Sequence, residues 1–264
     1  MKTRAKKRYG QHFLEPAWAD KLVAAIAPGP GDRFLEVGPG PGVLTLRLAS
    51  KAAHVTAVEI DRAMIDTLEP KRPPNVTLLH ADVLHVDLAE LAGGQPLRVA
   101  GNLPYNISSP VLFALIEAFK QGASVTDATV MVQREVAERI LAGPGGREYG
   151  VLSILIRLHA DVRQVRVLPP GAFRPPPKVQ SAVIQLRFRP PTVRVPDPPL
   201  FEAMVRSMFT QRRKTLANAL RGFAGDRGTD PAAALSAAAI DPRRRPETLQ
   251  LIELARLAES FPSR

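Results

Sequence analysis

Short apolar runs, each closed by glycine or a polar residue, punctuate the first 190 positions of the chain. Those at 33–37, 54–58, 76–79, 97–101, 126–132, 160–167 and 180–188 have the length and composition of buried strands. Beyond residue 199 the pattern changes period. Leu200, Phe201, Met204, Val205, Met208 and Phe209 recur at three and four residues, as on the core face of a helix. Asp197, followed by two prolines, is placed to cap that helix. Further helices are expected at 214–221, 231–239 and 247–260, and Trp18 is expected to pack in an N-terminal helix. The stretch 189–199 holds five prolines and reads as a linker, since proline donates nothing to a ladder and disfavours helix in the residue before it. The expected division is a sheet domain over 1–188, the linker, and a helical domain over 200–264.

The first strand, Phe34-Leu35-Glu36-Val37, runs into Gly38-Pro39-Gly40-Pro41-Gly42 and then into the helical pattern Val43–Ala49. This is the opening β–turn–α of a doubly wound α/β sheet, where backbone approaches a cofactor closely. The two prolines lack N–H groups and make a poor pyrophosphate cradle, and no Gly-Lys-Ser or Gly-Lys-Thr follows. A nucleoside cofactor without phosphates fits better, and S-adenosylmethionine is one. Glu59, at the end of the second strand, is placed to accept from ribose hydroxyls. Asp82, after the third, can accept from an adenine amine.

The run Asn102-Leu103-Pro104-Tyr105 follows the fourth strand. It sets a side-chain amide, a rigid carbonyl and an aromatic face beside one another. That suits a planar base with an exocyclic amine: the Asn102 oxygen and the Leu103 or Pro104 carbonyl accept from the NH₂, and Tyr105 stacks. A delocalised N6 lone pair becomes more nucleophilic when its hydrogens are held out of the ring plane.

Together these motifs resemble the ribosomal RNA adenine N6,N6-dimethyltransferases. Gly10-Gln11-His12-Phe13-Leu14 and Phe173-Arg174-Pro175-Pro176-Pro177-Lys178-Val179 are similar to two more motifs of that family, so the resemblance spans about residues 8–220. One position departs, since many members carry Asn where this chain has His12. The resemblance implies a Rossmann-like, seven-stranded class I methyltransferase sheet with a small C-terminal helical domain. It implies that Gln11, His12, Leu14, Gly38, Gly40, Glu59, Ile60, Asp82, Val83 and Asn102 hold S-adenosylmethionine. It implies that Phe173 faces Tyr105 across the target base. By the residues alone, Phe173 reads rather as a hydrophobic plug under its loop. The implied reaction is dimethylation of two adjacent adenosines near the 3′ end of 16S small-subunit ribosomal RNA, within the immature 30S subunit.

Charge agrees with a polyanion partner. Lys plus Arg number 36 against 25 acids, a formal +11, clustered at Lys2–Arg8, at Arg212-Arg213-Lys214 and at Arg243–Arg245. Lys6, Lys7, Arg8, Lys178, Arg212, Arg213 and Lys214 are the expected RNA contacts. The chain has no cysteine, so thiolate sites and disulfides are excluded. His80 and His85 lack the company a metal needs, and no metal is expected. No apolar run is long enough to cross a bilayer, and a cytoplasmic monomer is expected. Three other functions compete. One is a large-subunit (23S) adenine methyltransferase of the macrolide-resistance type. Another is a DNA adenine or protein-glutamine methyltransferase, which would carry proline at Leu103. The last is a catalytically silent RNA-binding assembly factor.

Overall fold

The computed structural model describes residue 6 and residues 10–262, so Lys7 and Arg8 lie outside the described residues. Two compact units divide the chain: one up to Ala137 with Asp161–Phe188, the other Glu138–Ala160 with Arg189 onward.

The first unit is built on a seven-stranded sheet. Its strands are β1 (Arg33–Val37), β2 (His54–Glu59), β3 (Val76–His80), β4 (Leu97–Asn102), β5 (Val125–Gln133), β6 (Ala160–Leu168) and β7 (Ser181–Phe188). Each lies within a residue at either end of its expected span. The order is β3-β2-β1-β4-β5-β7-β6. The pairs β1–β2, β2–β3, β1–β4 and β4–β5 are parallel, and β5–β7 is antiparallel. The chain steps to opposite sides of β1 on its way to β2 and to β4. A crevice therefore opens at the carboxyl ends of β1 and β4, the usual ligand position in open α/β sheets. Register aligns that edge: Val37 pairs with Val58 and with Gly101. Gly38, Glu59 and Asn102 thus leave three neighbouring strands at one level.

The strands read apolar because both faces are covered. Phe34, Leu35, Val55, Val99, Val130 and Ile184 are all buried. The helix Pro16–Ile26 closes one face with Ala19, Leu22, Val23 and Ile26, and Trp18 packs partly buried against the same cluster. At the opposite sheet edge Arg98 pairs with Asp32 and Asp127 and donates to the Ile26 carbonyl, tying β4, β5 and that helix together. A second, two-stranded ribbon pairs Phe13–Leu14 antiparallel with Phe173–Arg174. It joins two motifs 160 positions apart in the chain, a link that no periodicity announces.

In the helical unit, Pro198–Thr210 is capped by the Asp197 carboxylate, which accepts from Leu200 N–H at 2.9 Å. It buries Leu200, Phe201, Met204, Val205 and Met208 as expected, while Phe209 is half-buried and meets Tyr149 edge-on. Helices Pro231–Ala237 and Leu251–Glu259 are shorter than their expected spans. The expected helix over 214–221 is instead two short ones, Leu216–Ala219 and Arg221–Gly225. Its first N–H groups go elsewhere: Leu216 N–H donates to Arg244 O and Ala217 N–H to Pro242 O.

The division of the chain also differs from the expected one. Residues 138–160 belong to the helical unit, not to the sheet unit. Their helix Val151–His159 is buried nearly all round, and Tyr149 Oη donates to Leu249 O at 3.1 Å. A helix apolar on every face needs cover on every side. The expected linker begins tethered to the same unit, with Arg189 N–H donating to His159 O.

Candidate active site

The crevice holds a cavity of about 150 Å³, walled by the N-terminal segment 10–14, the glycine turn, the ends of β2 and β4, and Asp82. Gln11, His12, Leu14, Gly38, Gly40, Glu59, Ile60, Asp82, Asn102, Leu103, Pro104 and Tyr105 all line it. Residues scattered over nearly 100 positions meet there because parallel strands deliver their carboxyl ends to one edge.

The glycine turn is conformationally demanding. Gly38, Gly40 and Gly42 have φ of +68°, +54° and +88°. A Cβ on Gly42 would lie 2.3 Å from Leu68 Cδ1. The turn is fastened by Glu59, which is 6% exposed. Its Oε2 accepts from Gly40 N–H at 3.1 Å and its Oε1 from Asp61 N–H at 2.9 Å. Burial pushes the Glu59 carboxyl up, against those backbone hydrogen bonds. Each oxygen keeps a further lone pair for a ligand. Ile60, beside it, is 45% exposed, an apolar surface open at the cavity.

Asp82 Oδ1 caps the turn Val83–His85 by accepting Leu84 N–H at 3.0 Å, and its Oδ2 lies 3.5 Å from His85 Nδ1. Val83 is buried behind Asp82 and does not line the cavity, because the turn sends its side chain inward. Gln11 lines the cavity, but its amide is given to Asp61 Oδ2 at 3.0 Å, and its Oε1 accepts from Lys6 N–H. Lys6, an expected RNA contact, instead pairs with Asp61 at 2.7 Å. Asp61 is 1% exposed and also caps Arg62–Leu68. Burial raises its carboxyl, yet the hydrogen bonds from Lys6, Gln11 and Ala63 more than offset this and hold it below the usual range.

Asn102 carries the most telling geometry. Its Nδ2 donates to the His12 carbonyl at 2.6 Å. A carbonyl only accepts, so the amide orientation is fixed. Its Oδ1 is then buried without a hydrogen-bond partner. Buried acceptors without partners are uncommon and costly, and one beside a cavity points to a ligand donor. The Leu103 side chain is buried, and its N–H holds Met131 O. Pro104 O accepts Ile107 N–H at 3.1 Å. Tyr105 Oη shares a 2.6 Å hydrogen bond with Ser181 Oγ, and burial pushes its phenol up.

Phe173 does not face Tyr105. It is 1% exposed and lies in the core cluster, paired with Leu14 in the short ribbon. The plug reading of the residue is the correct one, since its apolar ring gains more from full burial under the loop than from an exposed shelf. The ring stacked on Tyr105 is that of His12, with centroids 5.6 Å apart and planes at 25°.

One site residue escaped the sequence reading. Glu36 lines the cavity, is 1% exposed, and leaves Oε2 buried without a hydrogen-bond partner. Burial pushes its carboxyl up to about 8, with Thr45 partly offsetting this and the Glu59 charge adding to it. The available signal was an acid within an otherwise apolar strand, one residue before the glycine turn. Of the basic residues, Lys178, Arg213 and Lys214 are exposed, while Arg212 donates to Arg147 O at 2.7 Å. Among the described residues no cluster of three or more His, Asp or Glu could hold a metal.

The chain is similar to known proteins over nearly its whole length. The profile of the family "Ribosomal RNA adenine dimethylase" matches residues 2–256. "Ribosomal RNA small subunit methyltransferase A" of Anaeromyxobacter sp. (strain K) is 47% identical over 98% of this chain and 94% of its own. The protein of that name from Xanthomonas oryzae pv. oryzae (strain PXO99A) is 44% identical over 98% and 97%. Among solved structures, a dimethyladenosine transferase from Plasmodium falciparum superposes with a TM-score of 0.76 at 24% identity, covering 93% of this chain and 96% of that one. The 23S rRNA methyltransferase ErmE superposes at 0.68 and 26% identity, covering 94% and 99%.

Proposed function

The chain belongs to the ribosomal RNA adenine dimethylase family, and we propose from that premise that it dimethylates N6 of two adjacent adenosines near the 3′ end of 16S small-subunit ribosomal RNA, with S-adenosylmethionine as donor. Its reaction class, ribosomal RNA adenine dimethylation, is that of the family.

The cavity suits the donor. Glu59 would hold the ribose hydroxyls, Asp82 the adenine amine against the Ile60 surface, and the Gly38–Gly40 backbone the amino-acid tail. A phosphate-free nucleoside asks nothing of Pro39 and Pro41. When bound, S-adenosylmethionine supplies an electrophilic methyl group on a cationic sulfur.

The observation that carries the reading is the orphaned Asn102 Oδ1. An N6 hydrogen of the target base satisfies it. The Leu103 or the Pro104 carbonyl takes the other hydrogen, the Pro104 oxygen keeping a second lone pair beside the Ile107 N–H that it already accepts. Two acceptors that hold both hydrogens draw the N6 lone pair out of conjugation and direct it into the cavity. No strong base is required, because the nitrogen sheds its proton readily once alkylated. Tyr105, anchored through Ser181, supplies a stacking face worth about 1–3 kcal/mol. The formal charge of +11 and the exposed Lys178, Arg213 and Lys214 favour a polyanion. The substrate would be the immature small subunit and the working form a cytoplasmic monomer.

Transfer of labelled methyl to unmodified small and large ribosomal subunits, assayed separately, tests this. Label recovered as N6,N6-dimethyladenosine from the small subunit is the expected result. Label in the large subunit would move the protein toward the ErmE-type reaction. Binding without label would make it a silent assembly factor.

A further inference from the structure

One wall of the cavity, residues 10–14, belongs to none of the seven strands yet is fastened to the ends of two of them. At the end of β4, Asn102 Nδ2 donates to His12 O at 2.6 Å. Beyond the end of β2, Gln11 Nε2 donates to Asp61 Oδ2 at 3.0 Å. Strand β1 lies between β2 and β4, so those ends stand about 10 Å apart, two strand spacings. Residues 11 and 12 therefore run across the end of β1, over the glycine turn. The Phe13 ring lies against that turn, since a Cβ on Gly40 would be 3.1 Å from it.

The fastening at β4 uses a backbone carbonyl, which any residue at position 12 would supply. The fastening at β2 depends on side chains and converges on one carboxylate. The Asp61 side chain is buried, and its Oδ1 accepts from Lys6 Nζ at 2.7 Å and from Ala63 N–H at 3.1 Å. Gln11 Oε1 accepts in turn from Lys6 N–H at 2.8 Å. Capping the helix Arg62–Leu68 needs only the bond from Ala63. The bonds from Lys6 and Gln11 are surplus to a cap. The Asp61 backbone works in the other direction: its N–H donates to Glu59 Oε1, while Glu59 Oε2 holds Gly40 N–H. One residue thus joins the wall, the acid placed for the ribose and the glycine turn.

We propose that residues 10–14 are a strap across the bound cofactor and that Asp61 is its catch, a positioning residue that acts on S-adenosylmethionine through Gln11 and Lys6. The inference rests on the methyltransferase reading above. Gln11 lines the cavity and Asp61 does not. Lifting the strap strips two donors, one of them charged, from a buried carboxylate, which is costly. The catch therefore governs how tightly the cofactor is kept.

Variants of the full chain test it. Asp61→Asn keeps the cap, since asparagine caps a helix about as well as aspartate, but removes the charge that holds Lys6. In calorimetric titration it should raise Kd for S-adenosylhomocysteine about 5- to 20-fold. In the ligand-free protein, hydrogen exchange should quicken over residues 10–14 while the helix Arg62–Leu68 keeps its protection. Gln11→Glu sets one carboxylate against another and should weaken binding at least as much. The double variant Gln11→Glu with Asp61→Asn reverses donor and acceptor, and should recover most of that loss. A direct contact between Gln11 and the cofactor could not be rescued from residue 61. Lys6→Ala repeats the test at a side chain outside the cavity that caps nothing, and faster release of S-adenosylhomocysteine is expected. Wild-type affinity and exchange in Asp61→Asn would reduce Asp61 to a helix cap. No recovery in the double variant, or unchanged release from Lys6→Ala, would equally overturn the catch. If the wild-type chain does not bind S-adenosylhomocysteine, the methyltransferase reading fails and this inference with it. If it binds and these variants behave as wild type, only the inference fails.

Discussion

Asn102 presents two hydrogen-bonding atoms in opposite situations, one satisfied by the His12 carbonyl and one buried without a partner. Asn102→Ala removes both. Single-turnover methyl transfer to small subunits should fall about 10²–10³-fold, as when a transition-state hydrogen bond is lost. S-adenosylhomocysteine affinity should fall by less than about tenfold. Phe173→Ala distinguishes a plug from a stacking face. A fully buried ring lost from the core costs about 3–5 kcal/mol, read by urea unfolding. Unchanged stability with lost activity would return the residue to the base. Glu36 yields a pH prediction. Its folded-state carboxyl sits at about 8 against the usual 4.5, chiefly through burial. Below about pH 4.5 both folded and unfolded chains hold the proton. Between 4.5 and 8 only the folded chain does, so its stability contribution is lost progressively as pH rises. Thermal unfolding of Glu36→Gln should therefore overtake that of the wild type across this window, and the gap should stop growing above it. Asn102 was legible as a run of letters. Phe173 was legible too, as a plug, by its residues alone; the buried, unpartnered state of Glu36 was not, because it depends on what other segments place over it.

At the scale of elements, the sheet edge is the decisive device. Val37 stands opposite both Val58 and Gly101, so three strand ends are level and three functional residues emerge together. Gly101 makes that closeness possible, since a Cβ there would lie 2.5 Å from the Val37 carbonyl oxygen. Both partners are backbone in paired strands and neither can step aside. Gly101→Ala should cost about 1–3 kcal/mol, seen as a lower Tm, and should depress activity beyond the loss of folded protein, because Asn102 is the next residue. The strands themselves were legible to within a residue, since an apolar run bounded by glycine or polar residues has little freedom to be anything else. The broken helix over 214–221 was not. The first of the two short helices starts at Leu216, whose N–H donates to the Arg244 carbonyl 28 positions away, a partner that no local pattern reveals.

Across the whole molecule, charge carries the argument that single residues cannot. If the exposed cations meet phosphates, log Kd for small-subunit RNA should vary linearly with log salt. Replacing Arg212, Arg213 and Lys214 together by alanine should reduce the slope by about 2. An unchanged slope would remove that cluster from the interface. Lys6 should not contribute, because Asp61 already holds it. The sequence determined the strand succession, the β–turn–α opening, the glycine and Asn-Leu-Pro-Tyr turns, the capped helix from Pro198 and the basic balance. All of these follow from local sterics, periodicity or composition. Tertiary structure alone decided the rest. It drew 138–160 into the helical unit, because a helix apolar all round must be covered on every side. It paired the strand of Phe173 with that of Leu14, and it set the His12 ring on Tyr105. Contacts between segments far apart in the chain are fixed by which surfaces exclude water together, and that is a property of the folded whole.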